Sequence, residues 1–421
     1  MEIIKGTNIH EGLVLGTLFI YGVYKEELYC TDDGYDLIMV ANNFSPVETM
    51  QFRHFNVNAL ITTEATPTSH TAILSTTMGW PAISGISIKK EWHGKYAIVD
   101  GDSGVLIIDP DTETLQNFYV KYKEKSEVKN ELLRDFVDRP TVTKSGVKIN
   151  LYANISIPSD TLKAKENGAE GVGNFKTEFM YLESDDYPIE EELFQIYSRV
   201  AFDMRESKVV IRTFDIGTDK IVPYFELDDE ENPALGYRAI RIGLDRPEIL
   251  KTQLRAILRA SAWGNVSIMY PMIVSVDEVL EIKCLLNQVM EDLRQNGVAF
   301  NENIEQGIMI ETPAAVIMSK ELAQIVDFFS IGTNDLIQYT LAADRQNPKL
   351  AKVYNPYHPA IIRSIEYVVK NAHEYETWVE ISGELGSDLS MIKKFVEINI
   401  DALAVSPEKI LPLRKAICEM D

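Results

Sequence analysis

After Pro140 the chain alternates strand-like runs with long helical patterns, eight times over. The runs fall at 147–153, 171–175, 208–212, 266–270, 307–310, 328–331, 378–381 and 402–405. Eight strands separated by helices in about 280 residues predict a parallel (β/α)8 barrel, a fold that carries its chemistry at the carboxyl ends of its strands. Nothing else in the sequence restricts the architecture as sharply.

The polar residues of this region cluster where that rule puts a site. Lys176 follows the second run, Arg212 ends the third, Arg238 lies in the long connection after it, and Arg345 follows the sixth. The planar fork of arginine grips phosphate or carboxylate with two hydrogen bonds, so arginines gathered at one rim imply a small, multiply charged anion. For any one of them a surface salt bridge is the competing account. Glu311 ends the fifth run in Met309-Ile310-Glu311-Thr312-Pro313, and Asp335 follows the sixth in Gly332-Thr333-Asn334-Asp335. Two carboxylates on adjacent strand ends suit Mg²⁺, which takes one or two such ligands and completes its shell with substrate oxygens and water. Each could instead cap a helix. Ser382-Gly383-Glu384 adds a hydroxyl and a further acid.

The first 110 residues read as a small mixed α/β domain. Its strands are expected at 13–23, 36–41 and 58–63, with a hairpin across 96–109 around Asp102-Ser103-Gly104, and residues 22–35 only connect two of them. The segment Thr68-Ser69-His70-Thr71-Ala72-Ile73 precedes an apolar run to Gly79 and then Trp80-Pro81-Ala82-Ile83-Ser84-Gly85. That places His70 at a helix start, where backbone N–H groups favour an incoming phosphate and suit a nucleophile. A capping hydroxyl beside a hydrogen-bonded histidine explains the same residues. Residues 111–140 turn to Lys, Glu and Asp, with apolar Leu115, Phe118, Tyr119, Tyr122, Val128, Leu132 and Phe136 spaced for an amphipathic linker helix that Pro140 stops. The barrel domain then spans 141–421.

Composition narrows the function class. A formal charge of -23 argues against nonspecific binding to nucleic acid or anionic membrane, although a local arginine cluster still makes an anion site. Cys30, Cys284 and Cys418 lack metal-ligand spacing, which points to a reducing compartment. The amino terminus lacks a signal-peptide core and no run reaches transmembrane length, so a cytoplasmic protein is expected.

These blocks resemble enzyme I of the phosphoenolpyruvate-dependent sugar phosphotransferase system, within the wider family of phosphoenolpyruvate-utilising enzymes. The resemblance runs nearly end to end. It rests on Thr68-Ser69-His70-Thr71, Gly171-Val172-Gly173-Asn174-Phe175-Lys176-Thr177-Glu178-Phe179, Arg212-Thr213-Phe214-Asp215-Ile216-Gly217, Asn232-Pro233-Ala234-Leu235-Gly236-Tyr237-Arg238, Glu311-Thr312-Pro313-Ala314-Ala315 and Ser330-Ile331-Gly332-Thr333-Asn334-Asp335. It implies a swivelling phosphohistidine domain, a barrel that binds phosphoenolpyruvate with Mg²⁺, and dimerisation through the barrel. It further implies His70 as phosphoryl acceptor, Glu311 and Asp335 as metal ligands, and Arg212, Arg238, Asn334 and Arg345 as holders of the substrate's phosphate and carboxylate.

Three departures accompany the resemblance. Where enzyme I inserts a helical domain that docks the carrier protein HPr, this chain has only residues 22–35. Lys176 stands where the family has arginine, and Ser382 where it has a cysteine that acts as general acid toward enolpyruvate. The chain also ends sooner after the eighth strand, so a helical tail is expected to be absent. The leading reading is therefore an enzyme that moves the phosphoryl group of phosphoenolpyruvate to His70 and then to an acceptor. The alternative is a catalytically weakened sensor that binds phosphoenolpyruvate without phosphorylating HPr. A pyruvate-phosphate dikinase would need a nucleotide-binding domain for which no segment is long enough.

Overall fold

The computed structural model describes residues 1–24, 36–44, 52, 55–64, 75, 79–218, 220 and 222–421. His70 and, apart from Ser75, the helix expected after it lie outside the described residues, as does most of the 22–35 connection. The chain divides into two compact units, Met1–Glu131 and Leu132–Asp421.

The first unit is built on an eight-stranded sheet: β1 (Glu2–Lys5), β2 (Thr7–His10), β3 (Leu13–Ile20), β4 (Leu37–Ala41), β5 (Val57–Thr62), β6 (Ala82–Ser84), β7 (Tyr96–Asp100) and β8 (Val105–Ile108). Its order is β1-β8-β7-β3-β4-β5-β6-β2, with β3 to β6 parallel, β7 antiparallel to β3, and β8 antiparallel to β7 in a hairpin. The central strands are apolar on both faces because alternate residues enter different cores. Leu18, Ile20, Ile38, Val40 and Ile61 pack on one side, and Phe19, Leu37, Met39 and Leu60 on the other. Parallel strands covered on both faces read as unbroken hydrophobic runs, which is how the sequence presents them.

One expectation changes here. The strand predicted to reach residue 23 stops at Ile20, and Tyr21–Tyr24 forms a helical turn. Aromatic packing accounts for the turn: Tyr21 meets the ring of Phe52 edge-on at 4.9 Å, and Tyr24 stacks on His93 at 3.9 Å. The expected helix after residue 111 is present as Thr112–Phe136. Its apolar stripe is thinner than predicted, since Phe118 is buried while Tyr119, Tyr122 and Val128 are exposed.

The second unit is a closed barrel of eight parallel strands: β9 (Asn150–Ile155), β10 (Gly171–Lys176), β11 (Lys208–Arg212), β12 (Val266–Tyr270), β13 (Glu305–Ile310), β14 (Phe328–Gly332), β15 (Trp378–Ser382) and β16 (Ala402–Val405), with β16 closing on β9. The first strand begins three residues later than expected. Gly146 at φ 94 turns the chain, and Val142 bridges Lys148 ahead of the strand.

Outward residues such as Val209, Ile211, Ile308, Ile310, Phe329, Ile331, Val379 and Ile381 join the helices in one continuous core. Inward residues fill the barrel in layers, as the fold requires. Val210, Met269, Met309 and Phe328 form an apolar plug closed by Trp378, while Lys176, Arg212 and Ser382 end their strands. The plug supports the charged residues from below.

Candidate active site at the carboxyl end of the barrel

Strand register sets the rim. Lys176 and Arg212 are direct partners in the β10–β11 pairing, and Gly332 and Ser382 in the β14–β15 pairing. Glu311 follows β13 directly, and Asn334 and Asp335 open the helix Thr333–Leu341 after β14.

Arg212 is buried and donates from Nη2 to Glu178 Oε1 at 2.8 Å, with Nη1 3.8 Å from Asp215 Oδ2. Arg238 grips Asp215 in turn, donating from Nη2 to Oδ1 at 2.7 Å and Oδ2 at 2.8 Å, and from Nε to Oδ1 at 3.1 Å. Burial works against ionisation of Asp215, yet Arg238, Lys220 and Arg212 together hold its carboxyl well below the usual range. Burial likewise opposes the Arg212 cation, and Glu178, Asp215 and Glu311 more than offset it. The two guanidinium groups are thus fixed by buried carboxylates before any ligand arrives. Preorganisation of this kind removes the ordering cost at the moment of binding or reaction.

Beside this paired network lies an opposed one. Glu311 is 1% exposed, and burial first, then the nearby Asp335 and Asp215, push its carboxyl up to about 8. Its Oε1 accepts from the Met272 backbone N–H at 2.6 Å. Oε2 lies only 2.8 Å from where a side-chain carbon on Gly332 would stand, so a side chain there would displace the Glu311 carboxylate. Asp335 Oδ1 is buried without a hydrogen-bond partner. Two mutually repelling carboxylates, one with an orphaned oxygen, fit a hard divalent cation that would also accept oxygens from a ligand. Among the described residues no group of three or more His, Cys, Asp or Glu forms a larger cage.

Lys176 completes the cationic side. Burial, then Arg212 and Arg345, bring its ammonium down to about 8. Ser382 is 4% exposed, and its Oγ lies 3.5 Å from the Asn174 amide nitrogen, which donates to it. The Asn334 carbonyl accepts from the Tyr354 hydroxyl at 3.1 Å, and Arg345 N donates to Gln338 Oε1 at 3.0 Å.

Of the barrel residues singled out in the sequence, Lys176, Arg212 and Ser382 end their strands, and Glu311, Asn334 and Asp335 follow theirs within three residues. Arg238 and Arg345 come from longer connections, Arg238 held through Asp215 and Arg345 close enough to interact electrostatically with Lys176 and Asp335. Glu178 and Asp215, which fix the two arginines, were contained in the motif blocks without an assigned role. An acid within three residues of a rim arginine is the signal that could have found Asp215.

Residues 130–421 match the family described as PEP-utilising enzyme, PEP-binding domain, and residues 35–104 match PEP-utilising enzyme, mobile domain. The chain belongs to the PEP-utilising enzyme family. Within that family it is 42% identical over 387 residues to the phosphoenolpyruvate-protein phosphotransferase of Bacillus subtilis (strain 168), covering 91% of this chain and 68% of that protein. The phosphoenolpyruvate-protein phosphotransferase of Haemophilus influenzae is 40% identical over 400 residues, covering 94% of this chain and 69% of the relative. That of Mycoplasma capricolum is 37% identical over 388 residues, covering 92% and 67%. This chain thus spans about two thirds of the length of each relative. Among the described residues no helix is long and apolar enough to cross a membrane.

Proposed function

We propose that the chain moves the phosphoryl group of phosphoenolpyruvate to His70 and then to an acceptor protein, releasing pyruvate. The observation that carries this reading is the rim of a PEP-binding family barrel, where buried, carboxylate-fixed arginines stand beside two opposed acids. Arg212, Arg238, Arg345, Asn334 and Lys176 bind the phosphate and carboxylate of the substrate, and Arg212 and Arg238 are held in place for it by Glu178 and Asp215. Glu311 and Asp335 hold Mg²⁺, which when bound supplies charge neutralisation at the phosphoryl oxygens. His70 is the nucleophile, attacking phosphorus in line with the departing enolpyruvate oxygen. Ser382 then donates the proton that converts enolpyruvate to pyruvate.

The acceptor is a small phosphocarrier of the HPr kind, met in the cytoplasm, and the barrel pairs two copies of the chain. Incubation with phosphoenolpyruvate labelled in its phosphoryl group, with Mg²⁺, is expected to give one acid-labile, alkali-stable label per chain. Undiminished labelling of His70→Ala would overturn the assignment.

A further inference from the structure

Below Ser382 the barrel holds a second acid, Glu380, which the phosphoryl transfer does not use. It is fully buried, two residues before Ser382 on β15, so both side chains face the interior. Glu380 pairs in register with Ser330, whose hydroxyl donates to Glu380 Oε1 at 2.7 Å. Glu380 Oε2 has no protein partner. It occupies space that exists because residue 173 is glycine, 2.6 Å from where a side-chain carbon there would lie.

The next residue carries the connection upward. The β9–β10 register shifts between Val172 and Asn174, and such a bulge re-aims side chains beside a site. Asn174 accordingly donates to Ser382 Oγ at 3.5 Å, while its own Oδ1 is buried and unpartnered. Two orphaned oxygens thus lie against consecutive residues of β10: Glu380 Oε2 beside Gly173, and the Oδ1 of Asn174, whose amide reaches Ser382. Buried polar atoms left so by the protein are ordinarily satisfied by water. Successive inward-facing residues of a strand stand about 6.6 Å apart along the backbone, close enough for their side-chain oxygens to be joined through water.

We infer that Glu380 is a positioning and proton-supplying residue, which through a bridging water beside Asn174 delivers to the Ser382 hydroxyl the proton that enolpyruvate consumes. The inference rests on the phosphotransfer reading above. The enol electrons form the new C3–H bond as the C2 oxygen becomes a carbonyl, and the Ser382 O–H bond breaks. The serine oxygen regains a proton from the water, the water regains one from Glu380, and the carboxylate left behind is reprotonated from solvent before the next turnover. A lone hydroxyl is a poor acid near neutral pH, whereas a carboxyl kept protonated is a sufficient source. Burial pushes the Glu380 carboxyl up to about 8, with the Ser330 hydrogen bond and Lys208 opposing. Of the other groups facing it, the Tyr152 phenol is pushed up by burial and by Glu380 itself, and Lys208 is paired with Glu305.

The test reads the proton step in reverse, as Mg²⁺-dependent exchange of pyruvate methyl protons with deuterated water, followed by NMR with inorganic phosphate present and the protein-free rate subtracted. In this direction Glu380 must accept a proton, so wild-type exchange climbs with pH toward about 8 and then levels. Glu380→Gln is expected to exchange about 10²-fold more slowly with a flat profile, and Glu380→Asp to recover part of the rate. Asn174→Leu, which keeps the acid but removes the link to Ser382, is expected to lose exchange as well, and decides the matter if Glu380→Gln fails to fold. Wild-type rates in Glu380→Gln and Asn174→Leu, or no exchange above background in the wild type, would overturn the inference. Labelling by phosphoenolpyruvate, run on the same preparations, separates the two readings: its absence from the wild type sinks the phosphotransfer, while its persistence with unaltered exchange sinks only the role of Glu380.

Discussion

The two ends of the barrel solve opposite problems. At the amino-terminal end the charged groups are paired with opposite charges, although the buried Trp378 Nε1 and Gln306 Oε1 lack a hydrogen-bond partner. Phe328 and Trp378 stack at 4.5 Å and 14°, the Lys208 ammonium sits 4.6 Å over the Trp378 ring and pairs with Glu305, and Glu305 also accepts from Ser267 Oγ at 3.0 Å. Asp401 takes the Val379 N–H at 2.8 Å and faces His373 Nε2 at 2.9 Å. At the carboxyl-terminal end Glu311 opposes Asp335, an Asp335 oxygen has no partner, and Lys176 is crowded by Arg212 and Arg345. Satisfied groups stabilise a fold, and groups left in opposition are relieved by a ligand of the right charge. The same eight strands carry both, which separates what holds the barrel together from what it binds.

The contrast breaks if mutations at the two ends act alike. Phe328→Ala empties the amino-terminal plug and is expected to cost about 3–5 kcal/mol in denaturant unfolding, with phosphorylation per folded molecule retained. Glu311→Gln should do the reverse. Phosphoryl labelling falls by about 10²–10³-fold, on the scale of losing one fixed electrostatic group from a reaction site, while the melting temperature rises above pH 5. The sign follows from the folded carboxyl titrating near 8 against 4.5 for the free group. Between those values the unfolded chain is ionised and the folded one is not, so the wild type loses stability as pH rises and the amide does not.

A subtler separation concerns Lys176. Phosphoenolpyruvate affinity is expected to weaken above about pH 8 as that ammonium loses its proton, and Lys176→Arg to bind more tightly and remove the decline. The smallest effect belongs to the amino-terminal end. The His373 pKa is raised by its hydrogen bond to Asp401, with burial opposing. The pair therefore stabilises the fold below the free histidine value of 6.5 and is lost as pH climbs through the raised one. For a partly exposed pair, His373→Gln should cost less than about 1 kcal/mol at pH 5.5 and nothing at pH 9.

How legible these features were in the sequence follows from burial. Strands 208–212, 266–270 and 402–405 were readable to the residue because both faces are covered and the runs are unbroken. The start of β9 was not, since Val147-Lys148-Ile149 alternates as a strand does but Lys148 pairs with Val142 in an isolated bridge ahead of the barrel. Strands β1, β2 and β6 are three or four residues long, too short for a periodicity to register. At the rim, arginine and acid identities at strand ends were legible as residue types. Glu178, Asp215 and Glu380 were not, because an acid becomes informative only once its neighbours are known to be buried with it. Glu380 in particular lay inside a run read only as a strand.

The claim that the opposed end of the barrel is the ligand-binding end is tested most directly by calorimetric titration of phosphoenolpyruvate into the full chain, with Mg²⁺ and again with EDTA. The account predicts one site per chain that needs the metal and is lost in Glu311→Ala and Asp335→Ala, while Phe328→Ala binds normally below its melting temperature. Binding that persists unchanged in EDTA and in both acid variants would contradict it.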